Sequence, residues 1–387
     1  MDIGRCDLAF MVRLGVDYLS QGMEVGRDLY DSDGRVILMH GAILSDRHIG
    51  FLKRWSITSV YVVNPLITLP LVDELLEEQT RHKAIKIIKE SFNQFTKVGR
   101  YILTNEQQDI IKSVVEAVMK KRQTILHLSQ INRHHDDLFT HSLNVAMLSA
   151  VTAVAVGTRD KNDLQVLVLG GLLHDFGKLV IPKSILNKVG SLTIEEEEIY
   201  RSHTKCGFDM LRKDPEIPLF VAHVAYQHHE QFDGKGYPRQ LSGTGILPFA
   251  RIVSITNEYD NLIADKPGQP GLKMHVAYET IVSGVNTLFE PEAAKCFLSR
   301  IALYPVGTMV RVTTGHIGVV IEVTPQLQHR PVIKILTDPT DELLPEPVEM
   351  DLAALDNLTV FIEDILDDDM VADIMRKYMD RTQPVAL

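Results

Sequence analysis

The chain has 387 residues and a formal net charge of −11, with 45% hydrophobic and 24% charged residues. That balance fits a folded, soluble protein of about two or three domains. The acidity excludes a chain whose main task is coating nucleic acid, because phosphate binding takes clustered Lys and Arg. A small anionic ligand stays compatible, since bound cations can make a positive site inside an acidic chain.

Residue types narrow the chemistry. Three cysteines (Cys6, Cys206 and Cys296) are too few and too scattered for a disulfide framework or a thiolate zinc site. Fifteen histidines point instead to imidazole. At the N-terminus Asp2 and Arg5 follow Met1, and the apolar run of residues 8–12 stops at Arg13, so no secretory signal is legible. With few cysteines, a reducing cytoplasm is the expected location.

Residues 1–65 predict a small α+β accessory or sensory module. A turn at residues 31–34, strands at 35–39 and 56–63, and a short helix at 46–55 make it up. Pro65 and Pro70 then punctuate the chain. Residues 66–130 predict a helical connector, with Ile85, Ile88, Phe92 and Phe95 at helical spacing. A second helix is expected at 105–128, with Ile110, Ile111, Val114, Val115 and Val118 on one side. This stretch offers a dimer contact for a homodimer, or else forms the first helices of the next domain.

Residues 131–302 read as mainly helical. The most apolar stretch, 143–156, is interrupted by Asn144, Ser149 and Thr152 and falls short of the roughly 18 apolar residues of a membrane span, so it predicts a buried core helix. Residues 303–387 predict a β-rich module: strands at 309–313 and 317–323 flank the turn Thr314-Gly315-His316, a third lies at 331–336, and an acidic amphipathic helix covers 361–380.

The chemistry concentrates in the helical domain. His174 and Asp175 end an apolar helix pattern that begins at Leu164. Alone, such a pair reads as well as a helix-terminal charge pair. Upstream, Asp137 and His141 stand at i, i+4 and share one helix face. Downstream come His203 and the doublet His228-His229. Four separated clusters of imidazole and carboxylate on helix patterns predict a multi-metal site, suited to iron, manganese or zinc. The absence of thiolates speaks against a purely structural zinc.

Specific strings then carry a family resemblance. They are His141-Ser142-Leu143-Asn144-Val145; Leu173-His174-Asp175-Phe176-Gly177-Lys178; His203 with Gly207; His228-His229-Glu230-Gln231-Phe232-Asp233-Gly234-Lys235-Gly236-Tyr237-Pro238; and Pro248-Phe249-Ala250-Arg251-Ile252. Over residues 131–300 the chain resembles the HD-GYP branch of the HD superfamily of metal-dependent phosphohydrolases. The fold class implied is mainly α, an HD-type helical bundle between the α+β and β-rich modules. The implied activity is hydrolysis of cyclic di-GMP, a bacterial second messenger, to pGpG and GMP. The implied cofactors are two or three divalent metal ions, iron or manganese. Asp175 would bridge two of them, with a bridging hydroxide as nucleophile.

The resemblance assigns His141, His174, Asp175, His203, His228 and His229 as ligands, with Asp137 for a third ion. Lys178 is the cation for a phosphate oxygen. The loop Gly236-Tyr237-Pro238 would hold the nucleotide, its glycine permitting close backbone approach and Tyr237 offering a ring face to guanine.

Three departures bear on this. Asn257 stands where the family places its last acidic ligand, and an amide oxygen carries no charge. Asp137 replaces a glutamate. After Leu262 the chain offers Lys266 where relatives carry arginines. A degenerate module that binds metal or nucleotide and signals through an unidentified partner is therefore the competing expectation. A phosphodiesterase for another cyclic dinucleotide, such as cyclic GMP-AMP, is a third.

Overall fold

The structure is a computed structural model. It describes residues 9–30, 36–55, 57, 59–68, 75–99, 101–121, 137–188, 190–264, 271–324 and 327–382. The expected turn at 31–34, parts of the strand at 56–63, and Lys266 lie wholly or partly outside the described residues. The chain divides into two compact units. One takes the described residues before 69 and after 301; the other takes those between.

The first unit begins with β1 (Ala9–Gly15), β2 (Leu29–Tyr30), β3 (Val36–Leu38), α1 (Asp46–Arg54) and β4 (Ser59–Thr68). β1 pairs antiparallel with β4, Gly15 opposite Ser59 and Phe10 opposite Asn64. The register then jumps so that Ala9 faces Thr68. Pro65 therefore does not end the strand, as its position suggested. It sits in the irregularity, where its missing N–H costs no ladder hydrogen bond.

The second unit is helical. Its elements are α2 (Glu78–Val98), α3 (Asn105–Lys120), α4 (Asp137–Val156), α5 (Lys161–Leu173), α6 (Lys183–Leu186), α7 (Ile194–Arg201), α8 (His203–Leu211), α9 (Leu219–Gln227), α10 (Pro248–Ile263), α11 (Met274–Ser283) and α12 (Pro291–Leu298). A 3-10 turn, Phe176–Val180, follows α5.

α4 is central, with α2, α3, α5, α10 and α12 packed around it. Its apolar residues Leu143, Val145, Ala146, Leu148 and Ala153 are all buried. Two of its polar residues find partners: the Ser149 hydroxyl bonds that of Thr256 (2.8 Å), and Thr152 donates to the Leu148 carbonyl. Among the described residues this is the one helix long and apolar enough to cross a membrane, and most of it is buried in the core. α2 and α3 belong to this unit rather than standing apart as a connector. Ile88, Phe92, Ile110, Val114 and Val118 are buried inside it, so the apolar stripe read as a dimer contact is covered by its own domain.

The chain then returns to the first unit with β5 (Met309–Val312), β6 (Ile317–Glu322), β7 (Val332–Thr337), β8 (Leu343–Asp351), β9 (Ile362–Ile365) and α13 (Asp368–Thr382). The five strands form an antiparallel sheet in the order β8-β7-β6-β5-β9. The expected helix over 361–380 starts later, because residues 362–365 pair with β5 as an edge strand. β8 was not legible, since Pro345 and Pro347 argue against a strand; it lies at a sheet edge, where proline is tolerated.

The two faces of the sheet divide by strand alternation. Val310, Val312, Val320, Ile333 and Ile335 fill one core. Met309, Ile317, Val319 and Leu336 face the other, which also contains Leu14, Val25, Leu52, Val62, Ile374 and Met375. The N-terminal and C-terminal modules, read separately from the sequence, thus share one hydrophobic core. A hydrogen bond from the Gly15 amide to Asp368 Oδ2 (2.7 Å) ties them further.

Candidate metal centre

Three of the site's histidines stand where helices end. His174 caps α5, His228 caps α9, and His203 follows the end of α7 to open α8. The last carbonyls of a helix lack intrahelical partners. Each histidine uses one: His174 Nδ1–H donates to Gly171 O (2.7 Å), His203 Nδ1–H to Tyr200 O (2.6 Å), and His228 Nδ1–H to Ala225 O (2.9 Å). A carbonyl can only accept, so each ring carries its proton on Nδ1 and presents a bare Nε2. His141 lies in the second turn of α4. Its Nδ1–H donates to Asp260 Oδ2 (2.7 Å), with the same result.

All four Nε2 atoms converge on Asp175, whose side chain is 1% exposed. His203 and His228 lie 3.4 and 3.5 Å from Oδ1; His174 and His141 lie 3.3 and 3.6 Å from Oδ2. Two ligand groups result, His141-His174-Asp175 and Asp175-His203-His228-His229, and they share the carboxylate.

Close glycine contacts make this convergence possible. A Cβ on Gly177 would lie 1.9 Å from the His203 carbonyl, so only glycine lets the turn after Asp175 reach α8. A Cβ on Gly171 would lie 2.6 Å from Ala146 Cα, so α5 approaches α4 closely there.

The donor set fits bound cations. The Nε2 atoms of His203 and His228 are 3.3 Å apart, those of His141 and His174 are 3.2 Å apart, and His141 Nε2 is 3.0 Å from Asn257 Oδ1. With every Nδ1 protonated, these are lone pairs facing lone pairs. Asp175 Oδ1 is buried with no hydrogen-bond donor. Such a set of nitrogen and oxygen acceptors is satisfied by divalent ions between them. Burial pushes the His174 imidazole down to about 4 and that of His203 to about 3, outweighing the pull of Asp175 the other way. His229 is lowered too, by burial and by its neighbours His228 and His203. His174, His203 and His229 are thus neutral at pH 7, the form that ligates metal.

Lys178 places its ammonium 2.5 Å from Asp175 Oδ2 and over the Tyr200 ring at 5.6 Å. Burial works against its charge, but Asp175 and Tyr200 outweigh that and hold it protonated. Asp175, although buried, is held ionised by the Lys178 ammonium beside it.

The loop after His229 is built from the inside. The Glu230 carboxylate, 1% exposed, accepts the amides of Arg239 (2.8 Å) and Leu241 (2.9 Å). A Cβ on Gly236 would lie 2.2 Å from the Gln231 nitrogen, so glycine is required there. The Tyr237 amide donates to the His229 carbonyl (3.1 Å), and the two rings stack at 4.7 Å. The Arg201 guanidinium lies over the Tyr237 ring at 4.9 Å. The Tyr237-Pro238 peptide is cis.

His141, His174, Asp175, Lys178, His203, His228, His229 and Asn257 therefore meet in one place, with Gly236, Tyr237 and Pro238 in the adjoining loop. Asp137 opens α4 one turn before His141, but its side chain lies outside the described residues, as does Lys266. Asn144 and Asp260 lie behind His141; sequence reasoning assigned no role to either of them, nor to Glu230 and Arg201. The i, i+3 spacing of Asn257 and Asp260 on α10 was the available signal for Asp260. Arg201 gave none, because α7 and the Tyr237 loop are distant in sequence.

Residues 105–293 match the family model described as HD domain. This region is an HD domain. Residues 309–373 match a KOW domain associated with HD domain. The chain is 31% identical over 252 residues to a cyclic di-GMP phosphodiesterase of Pseudomonas aeruginosa, covering 64% of this chain and 60% of that protein. It is 30% identical over 220 residues to a cyclic di-GMP phosphodiesterase of Thermotoga maritima, covering 56% of each. A 3'3'-cGAMP-specific phosphodiesterase of Vibrio cholerae is 34% identical over 129 residues, 33% of this chain and 25% of that one. The chain thus spans little more than half the length of the first two relatives.

Proposed function

We propose that the HD domain is a metal-dependent phosphodiesterase acting on cyclic di-GMP, with iron or manganese as its ions. The observation that carries this reading is the convergence of four Nδ1-tethered imidazoles on the two oxygens of Asp175. His141, His174, Asp175 and the Asn257 amide oxygen would hold one ion; Asp175, His203, His228 and His229 would hold the second. When bound, such ions neutralise charge on a phosphodiester and make water a usable nucleophile at neutral pH.

The protein's own groups do the rest. Asp175 links the two halves and keeps its charge beside Lys178. The Lys178 ammonium stands at the edge of the site, ready to exchange its contact with Asp175 for a phosphate oxygen. Arg201 and Tyr237 border the His229 side. There the guanidinium supplies the planar cation that the segment after Leu262 lacks. Glu230 holds the loop rigid, so Tyr237 is fixed before substrate arrives.

The test is direct. Protein loaded with manganese or iron is incubated with cyclic di-GMP, and pGpG and GMP are measured. Tight nucleotide binding without either product, under both metals, would favour the degenerate signalling module instead. Similarity to a 3'3'-cGAMP-specific relative supports a second substrate, cyclic GMP-AMP, to be compared in the same assay.

A further inference from the structure

Among the four tethered histidines, His141 differs in what holds it. Inside α4 the backbone carbonyls serve the helix, so no free carbonyl lies beside its Nδ1. A side-chain chain replaces it. Asp260 of α10 accepts from His141 with Oδ2 (2.7 Å) and from Asn144 Nδ2 with Oδ1 (3.0 Å). The Asn144 carbonyl oxygen in turn accepts from the Arg81 guanidinium.

Chemistry fixes the direction of every link. A guanidinium can only donate and a carboxylate can only accept, so the amide between them has one workable orientation. Asn144 is 2% exposed and Asp260 is 2% exposed, which keeps these bonds out of water.

Arg81 lies on α2, and α2 precedes the matched HD domain, which begins at residue 105. The same helix reaches the site a second way. Phe92 and Phe95 pack edge-on against Phe176 at 4.9 and 4.7 Å, and Phe176 follows Asp175 directly.

We propose that Arg81 and Asp260 are positioning residues for the metal ligand His141, acting through Asn144, and that α2 is thereby a working part of the metal centre. Asp260 fixes the tautomer and orientation of His141. Arg81 fixes the amide that holds Asp260. Neither touches substrate. The inference rests on the two-ion reading of the site given above.

The test is a cobalt(II) titration of metal-free protein, followed by the visible absorption of the bound ion and by chelator competition. Wild type, Asp260→Asn, Arg81→Ala and Arg81→Lys are compared, with thermal unfolding of each metal-free protein as the fold control. Loss of an outer partner of a ligating histidine costs about 10–100-fold in affinity. Asp260→Asn should weaken one of the two ions by about that factor and leave the other unchanged. Arg81→Ala should weaken the same ion by about tenfold, and Arg81→Lys, which can still donate to Asn144, should recover most of it.

Unchanged affinity in both Asp260→Asn and Arg81→Ala would overturn the proposal. Parallel loss of both ions together with a lower unfolding temperature would also overturn it, since that is what a merely structural role produces. Arg81 is only half-buried, so its variants keep the test open if Asp260→Asn does not fold. A wild type that binds no cobalt would overturn the two-ion reading itself, and this inference with it.

Discussion

The two halves of the metal centre are oriented by different means. On one side His203 and His228 are held by main-chain carbonyls at helix ends, and His174 shares that device. On the other side His141 is held by a relay of side chains from three helices, and its neighbour Asn257 brings an uncharged oxygen. Backbone orientation comes with the helix boundary and no point mutation elsewhere removes it. Side-chain orientation can be tuned, and lost, one residue at a time. The His141 half is therefore the adjustable one, and the His203-His228 half is the fixed one.

The most disruptive change removes what the halves share. Asp175→Ala should abolish binding of both ions and lower hydrolysis by on the order of a thousandfold or more, checked by metal content and product formation. Full activity in this variant would mean that the site is misassigned. Changes confined to one half should then separate them. His228→Ala and His141→Ala should each leave about one ion per chain, counted by elemental analysis; loss of both ions from either would show that the halves are not independent.

A smaller effect sharpens the contrast. Asn257→Asp adds a charge to the His141 half and should tighten that ion by about tenfold, read by chelator competition. Weaker retention would show that the amide does more than act as a poorer ligand.

Acidity tests the two halves together. The unfolded histidine pKa is near 6.5, whereas burial holds His174 at about 4 and His203 at about 3. Between these values the unfolded chain binds more protons than the native one, so metal-free protein should lose stability as pH falls below about 6.5, with no further gain above it. Denaturant midpoints at pH 8, 6 and 5 read this, and a flat profile would contradict the neutral, buried histidines. The smallest expected effect is that of Tyr237→Phe, which keeps the ring on His229 and should change turnover by less than about threefold.

The main features of the centre were legible as strings of residues. Fixed spacings such as 174–175 and 228–229 survive in any fold, and metal ligation demands particular side chains, so chemistry shows through the sequence. Glu230, Arg201, Asn144 and Asp260 were not legible, because their work depends on what lies opposite them after folding. An asparagine or glutamate in a helix pattern reads as an ordinary polar residue until its partner is placed. Elements with regular periodicity, such as α2, α3 and β5–β7, were foreseen, while β1, β8 and β9 were missed because each is defined by the strand it pairs with.

By itself the sequence determined the residue types suited to the chemistry, the His and Asp side chains that gather around His174-Asp175 and the helical nature of the central domain. It could do so because residue type and local periodicity are properties of adjacent positions. Tertiary structure decided that the two terminal modules are one unit with a common core, and that α2 and α3 pack in the same compact unit as the helices of the metal centre. It also decided that His141 depends on Asp260, Asn144 and Arg81. Those are matters of which distant segments bury each other's apolar surface and satisfy each other's polar groups, and no spacing along the chain encodes them locally.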